Sequence, residues 1–387
     1  MTSDVGAGLF EPGLGWLRSK QGVKWHRPAS TLIPAWVADM DFPVAPPIRA
    51  TIQASLDRGD LGYPDWPENP LAQPFATRMR GRYGWNPAPA HVRGVTDLIQ
   101  ALQIVLQLAT QPGQAVVAHT PNYPPFLATI ASMGRQLVAA PLHADRQSWT
   151  WDHQRLEADT ATASAAVLLL VNPHNPTGRA FTRDELEQVA DLAARHDLIV
   201  ISDEIHAELI HDPHAHIPFA SLSSDTAART VTVTSATKAF NIAGLRTAVA
   251  HIGPAALRHQ WDRQPPDLYG ATNVLGVAAT LAAWQHGEPW LTQLREHLRA
   301  QRDHIGHRMP ELRGIDWIPP EASYLAWLDC SALGGTDLAE HLRQQAQIEL
   351  SPGPDFGPGN CGRTRLNFAT SRALLDTILD RIATITA

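Results

Sequence analysis

The stretch Thr230-Val-Thr-Val-Thr-Ser235-Ala-Thr-Lys238-Ala-Phe-Asn-Ile-Ala-Gly244-Leu-Arg246 begins with five β-branched residues and continues into a lysine that follows two hydroxyl side chains. The β-branched run predicts a strand at 230–234. A lysine just beyond such a strand, near Ser235 and Thr237, suits a Schiff-base lysine whose aldehyde partner carries a phosphate, because both hydroxyls can donate to phosphate oxygens. A lysine taken alone is usually a solvated surface residue, so the prediction depends on these neighbours.

Two further strings place polar side chains where predicted strands end. In Val200-Ile-Ser-Asp203-Glu-Ile-His206 a carboxylate ends an apolar run, which is where open α/β sheets present groups to a ligand. That carboxylate can pair with a protonated pyridine nitrogen, or it can simply cap the next helix. In Val171-Asn172-Pro-His-Asn175-Pro-Thr-Gly178 the prolines and glycine predict a tight turn that points Asn175 inward, with turn formation alone as the alternative.

The order of elements predicts an α/β protein. Short strand-like runs at 115–118, 166–171, 198–202, 230–234 and 248–252 alternate with helix-like stretches, which is typical of a mostly parallel sheet with crossover helices. Thr182 and Glu185 have capping-box spacing and predict a helix at 183–196. A long amphipathic helix is expected from 288 to about 309, followed by a strand at 324–328, a helix near 337–347 and a final helix. We therefore expect a Pro-, Trp- and Gly-rich extended arm at 1–50 that packs with the small domain, a large domain at 51–285 and a small α+β domain at 286–387.

Composition excludes several classes of protein. The 387 residues are 44% hydrophobic and 18% charged, which favours a globular protein of two or three domains over a disordered one. The 38 acidic and 31 basic residues give a net charge of −7 and predict no nucleic-acid partner. The sequence contains neither a signal-like segment nor a membrane-length apolar run, and two cysteines give no disulfide framework, so we expect a cytoplasmic protein. The histidines His211, His214 and His216 lie in a Pro-rich loop and are not expected to bind a metal.

Eight strings together make the sequence resemble fold type I enzymes that use pyridoxal 5'-phosphate (PLP). The similarity is greatest to the MalY/PatB-type cystathionine β-lyase (C-S lyase) branch of the class I/II aminotransferase superfamily. The strings are Lys24-Trp25, Trp36-Val-Ala-Asp39-Met-Asp-Phe42, Leu61-Gly-Tyr63, Pro121-Asn-Tyr123-Pro-Pro-Phe126, Asn172 to Gly178, Ser202-Asp-Glu-Ile-His206, Lys238 to Leu245, and Arg363-Thr-Arg365-Leu-Asn-Phe.

The resemblance implies a role for each matching residue. It makes Lys238 the Schiff-base lysine and proton shuttle, and Asp203 the partner of the pyridine nitrogen. It places Asn175 and His206 at the ring's phenolic oxygen and Tyr123 on the ring face. The phosphate would be bound by Val95, Thr96, Ser235, Thr237 and Arg246, and by Tyr63 of a neighbouring subunit in a homodimer with shared active sites. Arg365 would clamp the substrate carboxylate, with Asn175 and backbone groups around Ala38 beside it.

By the same resemblance, the implied reaction cleaves cystathionine or another cysteine thioether to a thiol, pyruvate and ammonia. Arg246 is closer to the aminotransferase pattern, so a PLP-dependent aminotransferase is the alternative, because it would use the same lysine, aspartate and arginine. A PLP-binding protein with a regulatory rather than catalytic role is a third interpretation, and the complete Lys, Asp and Arg set disfavours it. A bulkier cysteine conjugate from specialised metabolism stays open as the substrate.

Overall fold

The computed structural model describes residues 8–145, 148–265, 268–334 and 338–386. In chain order the α-helices are α1 (Leu14–Arg18), α2 (Val23–His26), α3 (Pro46–Asp57), α4 (Ala72–Tyr83), α5 (Leu98–Ala109), α6 (Pro124–Ser132), α7 (His153–Ala163), α8 (Arg183–Arg195), α9 (Ser224–Arg229), α10 (Ala236–Ala239), α11 (Ala255–Asp262), α12 (Val274–His286), α13 (Glu288–Arg308), α14 (Leu338–Gln345) and α15 (Arg372–Thr386). The strands are β1 (Ile33–Pro34), β2 (Val92–Val95), β3 (Ala115–Thr120), β4 (Gln136–Pro141), β5 (His143–Asp145), β6 (Ser148–Thr150), β7 (Val167–Val171), β8 (Ile199–Asp203), β9 (Thr230–Thr234), β10 (Ala248–Ile252), β11 (Asp316–Trp317), β12 (Leu325–Asp329), β13 (Ile348–Glu349), β14 (Ser351–Pro352) and β15 (Arg363–Asn367).

A seven-stranded sheet forms the larger part of the molecule, with strand order β2-β10-β9-β8-β7-β3-β4. The pairs β9–β8, β8–β7, β7–β3 and β3–β4 are parallel, whereas β10 is antiparallel to both of its neighbours. The expected α/β fold with a mostly parallel sheet is therefore confirmed. Because β2, β9, β8, β7 and β3 run in the same direction, their carboxyl ends meet at one edge of the sheet.

Both faces of this sheet are buried, which explains the unbroken apolar runs in its central strands. Val167, Leu169 and Val171 of β7 contribute to one hydrophobic cluster, and Leu168 and Leu170 contribute to another on the opposite face. Alternate residues of a strand point to opposite faces, so a strand covered by helices on both sides carries no polar alternation. The predicted strands at 230–234 and 248–252 match β9 and β10 at both ends.

The helix that follows the Asn175 turn begins where the capping box predicts. The Glu185 N–H donates to the Thr182 hydroxyl at 3.3 Å, and the Thr182 N–H donates to the Glu185 carboxylate at 2.6 Å. Two N–H groups that the helix itself cannot satisfy thereby gain partners. This fixes the start of α8 and the end of the turn that carries Asn175.

A smaller sheet packs near the chain's C-terminal part and receives the N-terminal segment. Its strand order is β11-β12-β15-β14, and β1 pairs in parallel with β13, which leads into β14. Phe10, Phe42, Trp290 and Leu325 belong to one hydrophobic cluster, so residues from the beginning, middle and end of the chain share a core. The expected domain boundaries at 50/51 and 285/286 stay a prediction, and α3 runs across the first of them.

The structure differs from the sequence expectations in several elements. The first 50 residues contain α1, α2 and the start of α3, which an extended arm would lack; the first two helices are short, and α3 begins with the proline pair Pro46 and Pro47. Two edge strands lie outside the expected set: in β2, Arg93 and Gly94 interrupt the apolar residues, whereas β4 is apolar in sequence but mostly partly exposed at the edge of the sheet. The helix expected near 337–347 is α14, and Asp337 itself lies outside the described residues.

Within the described part of the chain, no helix combines the length and apolar content required to cross a bilayer.

The three loop histidines contact different partners. His211 Nε2 lies 2.8 Å from the Ser323 carbonyl oxygen, His216 Nε2 lies 3.0 Å from the Glu204 carboxylate, and His214 Nδ1 lies 3.8 Å from Glu321. They therefore do not converge on one point.

Candidate active site

The carboxyl ends of β7, β8 and β9 bring the three strings found in the sequence to one cavity of about 120 Å³. Asp203 ends β8, Asn175 lies in the turn after β7, and Lys238 lies in α10 directly after β9. The other predicted site residues that line this cavity are Ala38, Thr96, Tyr123, His206, Ser235, Thr237 and Arg246. The parallel strand order therefore assembles most of the predicted site.

The Lys238 amine points to the N-terminal segment. Its Nζ donates to the Ala38 carbonyl oxygen at 2.7 Å and lies 4.0 Å from an Asp39 carboxylate oxygen. Burial lowers the pKa of Lys238, with the Asp39 charge acting in the opposite direction. An amine with a lowered pKa is more readily available in its neutral form, which both a nucleophile and a general base require.

Residues 36–42 form what we call the crossing segment, which runs between the Lys238 loop and the small sheet. The Tyr324 hydroxyl donates to the same Ala38 carbonyl at 2.9 Å, and the Asn367 amide donates to the Val37 and Asp39 carbonyls at 2.7 and 2.6 Å. The Asn241 amide donates to the Met40 and Phe42 carbonyls at 3.1 and 2.8 Å. Sequence reasoning missed Tyr324, Asn241 and Asn367 as site-forming residues, although Asn241 and Asn367 lie within strings that it singled out.

Asp203 is buried, with 5% of its surface exposed. Its Oδ1 accepts the Ile205 N–H at 3.0 Å, and no lysine, arginine or histidine of the described chain forms an ion pair with it. Burial raises the pKa of Asp203 to about 7, and the Ile205 hydrogen bond only partly opposes this. A buried carboxyl without an ion-pair partner among the described residues is thus available at the cavity wall to a cationic group of a ligand.

His206 also lines the cavity, and Ser323 orients its ring from outside the cavity wall. His206 Nδ1 lies 3.1 Å from the Ser323 hydroxyl, and its ring meets the Tyr324 ring edge-on at 5.9 Å. Burial lowers the pKa of His206 to about 3, with the Lys238 and Arg365 charges acting in the same direction, so the imidazole is neutral. A neutral imidazole can orient a neighbouring oxygen without adding a charge to the site.

Arg365 is a buried guanidinium, 4% exposed, and no carboxylate of the described chain pairs with it. It donates to Asn175 Oδ1 at 2.9 Å, to the Trp36 carbonyl at 3.0 Å and to the Ser351 hydroxyl at 3.3 Å, while its buried Nε has no partner. Burial lowers the pKa of Arg365 to about 10. Such an arginine is well suited to bind a carboxylate, because the pairing would offset the burial of its charge.

A polar cluster lies where a phosphate is expected. The Ser235 hydroxyl donates to the Thr247 carbonyl at 2.6 Å and contacts the Thr237 hydroxyl at 3.0 Å, and the Thr237 N–H donates back to Ser235. Arg246 forms an ion pair with Asp97, which caps α5 by accepting the Gln100 N–H at 2.8 Å. Ser235 is thus engaged within the chain. Thr237 lines the cavity beside it, and Arg246, although paired with Asp97, is largely exposed and has further N–H groups to offer.

Three phosphate-site expectations need qualification. The Thr96 N–H donates to Gln100 Oε1 at 2.8 Å, so Thr96 offers its hydroxyl rather than its backbone to the cavity. Val95 is buried in β2 opposite Ala248 and does not line the cavity. Tyr63 is fully exposed and lies in a separate surface cavity with Trp66 and Leu281, so within one chain the structure does not bring it to the site.

The residues present fit PLP. The aldehyde requires the Lys238 amine, the pyridine nitrogen requires the buried carboxyl of Asp203, and the phosphate requires the donors near Thr237 and the N-terminus of α5, where anions bind favourably. Tyr123 lines the same cavity between these groups and can cover one ring face. The fold and the site together therefore define a lysine-based enzyme of the PLP fold type I class.

Comparison with known proteins gives the same result. Residues 38–382 match the family described as aminotransferase class I and II, and the chain belongs to that family. It is 34% identical over 371 residues to cystathionine β-lyase PatB of Bacillus subtilis, covering 94% of this chain and 96% of PatB.

Solved structures resemble the whole molecule. The crystal structure of OvoB has a TM-score of 0.91 and 37% identity and covers 96% of this chain and 97% of its own. The PLP-bound C-S lyase from Staphylococcus hominis has a TM-score of 0.89 and 27% identity, covering 95% and 96% of the two chains. The expected fold and the expected family are thus confirmed.

Proposed function

We propose that this chain is a PLP-dependent carbon–sulfur β-lyase that cleaves cystathionine or another cysteine thioether, with water, to a thiol, pyruvate and ammonia. The family match, the full-length similarity to named cystathionine β-lyases and the PLP-bound C-S lyase structures support this assignment. The side chains that line the cavity are those the reaction needs.

Each cofactor contact has a residue to supply it. Lys238 would bind the aldehyde carbon, Asp203 would accept the pyridine N–H, and Asn175 and His206 would flank the phenolic oxygen. Thr96, Thr237, Arg246 and the α5 N-terminus would bind the phosphate, with Ser235 ordering Thr237, Val95 supporting the loop and Tyr123 covering the ring. When bound, PLP supplies an electron sink for the pair that remains when the α-proton of the substrate is removed.

Orientation and proton transfer belong to the chain. Arg365 would hold the α-carboxylate with two parallel hydrogen bonds, and Asn175 and the Ala38 backbone would limit its rotation. The Lys238 amine would take the α-proton of a substrate held in this way, and the Ala38 carbonyl, which also accepts the Tyr324 hydroxyl, is placed to keep that amine near its position. Departure of the thiolate from the β-carbon then completes the cleavage.

The observation that carries the proposal is the buried Arg365 guanidinium, which pairs with no carboxylate among the residues that the structure describes and is joined through Asn175 to the cavity of Lys238 and Asp203. The test incubates the purified holoenzyme with cystathionine and with S-alkylcysteines and measures thiol and pyruvate, without any keto acid. Equimolar thiol and pyruvate, absent with Lys238→Ala, are the expected result.

The same incubations, repeated with a keto acid and followed by absorbance, test the alternative functions. Activity that strictly requires a keto-acid acceptor and yields a new amino acid would refute the lyase and establish the aminotransferase, which Arg246 favours by resemblance. An absorbance band that does not change with any amino acid or thioether would instead indicate the regulatory PLP-binding protein.

We further propose a cytoplasmic homodimer in which Tyr63 reaches the phosphate of the neighbouring subunit. The full exposure of Tyr63, close along the chain to exposed Leu61 and partly exposed Trp66, supports this arrangement because such apolar surface is commonly covered by a partner. We also propose that the chain is divided into the arm, the large domain and the small domain expected from the sequence. The crossing segment would then bridge the two sheets.

A further inference from the structure

A second, larger cavity of about 570 Å³ adjoins the first. Tyr123 lines both cavities, and Arg365 lines the second while donating to Asn175 in the first. This volume lies within the range of small-molecule sites. A substrate whose α-carboxylate is bound by Arg365 therefore has room for a long sulfur substituent on this side, and the smaller cavity remains for the reacting centre.

One wall of the second cavity carries a cation. The Arg27 guanidinium lies 5.5 Å from the centroid of the Trp36 ring, and both residues line the cavity. No acidic side chain of the described residues lies within ion-pair distance of Arg27. Its charge lies against an aromatic face and acts at longer range on Glu349, and without an ion pair it is available to an anionic group of a ligand.

Glu349 supplies the opposite charge. Its backbone carbonyl accepts the Ala35 N–H at 2.8 Å, so the strand position is fixed, and its side chain is half-buried. Glu349 precedes Ser351 by two residues, and Ser351 contacts Arg365; in extended chain this spacing is about 7 Å with both side chains on one face. Burial raises the pKa of Glu349, the Arg343 and Arg27 charges act in the opposite direction, and a ligand ammonium beside it would favour the charged form further.

The remaining charged side chains of this cavity have other surroundings. Arg343 forms an ion pair with Glu340 of the same helix, α14, and Asp355 is exposed. Arg365 would bind the α-carboxylate in the proposed reaction. Arg27 is exposed as well, but its guanidinium lies on the face of Trp36, and Glu349 is the half-buried carboxylate of this cavity; these two opposite charges lie beside the crossing segment.

Resting on the lyase function proposed above, we infer that Arg27 and Glu349 are specificity-determining residues that bind opposite charges at the far end of the sulfur substituent. The preferred thioethers would then end in a second zwitterionic amino acid. An extended arm from the first α-carbon through sulfur to a second α-carbon is five bonds, about 6–7 Å, and this length matches the separation between the Ser351 and Glu349 positions.

The kinetic test compares four cysteine thioethers of similar length. Their sulfur substituents are the zwitterionic arm of cystathionine, 3-carboxypropyl, 3-aminopropyl and uncharged butyl. Glu349→Gln should lower kcat/KM for the two ammonium-bearing substrates about three- to tenfold, and Arg27→Gln should do so for the two carboxylate-bearing ones, as expected for partly exposed charge pairs. S-butylcysteine should be unaffected in both variants, and it also reports whether each variant is folded.

Glu187→Gln, which removes a carboxylate from the exposed face of α8, is the matched control and should change none of the four values. Equal effects of Glu349→Gln or Arg27→Gln on charged and uncharged thioethers would overturn the inference. Failure of the wild-type enzyme to release pyruvate from any thioether would instead refute the proposed lyase.

A binding measurement separates these two failures. 2,7-Diaminosuberate has the length of cystathionine with methylene in place of sulfur, so it has no thiolate to lose, and 2-aminooctanoate lacks the second charged end. Calorimetry on the holoenzyme should show tighter binding of diaminosuberate, with the preference reduced by Glu349→Gln and by Arg27→Gln. Equal affinity of both ligands for the wild-type enzyme would overturn the inference, whatever reaction the enzyme catalyses.

Discussion

Replacing Asp203 by Asn should have opposite effects on stability and on catalysis. In the protein without cofactor, burial raises the pKa of Asp203 from 3.8 to about 7, a difference that corresponds to roughly 4 kcal/mol in favour of the neutral carboxyl. The folded protein therefore binds a proton more tightly than the unfolded chain does. Its stability is highest below the unfolded value and falls as the pH rises through about 7.

An asparagine carries no charge at any of these pH values. At pH 8 the cofactor-free Asp203→Asn protein should accordingly be more stable than the parent, by up to roughly 4 kcal/mol, and this gain should disappear near pH 4. With the cofactor bound the substitution should be harmful to catalysis, because a neutral amide cannot hold a protonated pyridine nitrogen. Loss of a hydrogen bond to a charged group, about 1.5–3 kcal/mol, should lower kcat by at least roughly ten- to a hundredfold.

Urea unfolding of the cofactor-free proteins at pH 4, 6 and 8, together with steady-state pyruvate release by the holoenzymes, measures both effects. Asp197→Asn is the matched control, since that aspartate is fully exposed and its left-handed backbone suits asparagine. A cofactor-free Asp203→Asn protein that is less stable than the parent at pH 8, or a holoenzyme with near-normal turnover, would refute the reasoning.

Three further outcomes are expected. Arg365→Lys keeps the charge but removes the fork, so kcat/KM should fall about ten- to a hundredfold while the cofactor absorbance stays unchanged; equal efficiency would show that the α-carboxylate binds elsewhere. Mixed Tyr63→Phe and Lys238→Ala chains should regain activity in hybrid dimers, and no recovery despite proven subunit exchange would contradict a shared site. Thr182→Ala removes the cap of α8 and should lower the free energy of unfolding by about 1 kcal/mol in urea titrations, with Thr162→Ala as an exposed control; equal stability of the two variants would contradict the capping role.

The parts of the structure that could be predicted are those set by residues close together in the sequence. Five apolar or β-branched runs became β3, β7, β8, β9 and β10, and Thr182 and Glu185 fixed the start of α8. The lysine, aspartate and asparagine were found because each lies at the carboxyl end of one of these strands or within four residues of it. Parallel strand order then brought them together without further information.

Long-range contacts explain what the sequence could not show. Tyr324 meets Ala38 across 286 residues and Asn241 meets Met40 across 201, and nothing local marks either side chain as part of a site. The Gln100 side chain that accepts the Thr96 N–H also donates to the Tyr269 carbonyl at 2.7 Å, 169 residues away, so its orientation depends on a long-range contact. The role proposed for Tyr63 requires a second subunit, which no pattern within one chain can position.

The crossing segment has a consequence for how the protein is made. Its Trp36 carbonyl is bound by Arg365, which is 329 residues further along the chain, and its Ala38 carbonyl is bound by Lys238 after 200 residues. At about 5–20 residues per second, a ribosome needs roughly 15–65 s to travel from the first of these positions to the last. During that interval the large sheet can form while the Trp36 carbonyl of the crossing segment still lacks its Arg365 partner. A released fragment that ends before Arg365 would therefore hold the lysine and the aspartate but keep an open site, so activity begins only with the last strand to be synthesised.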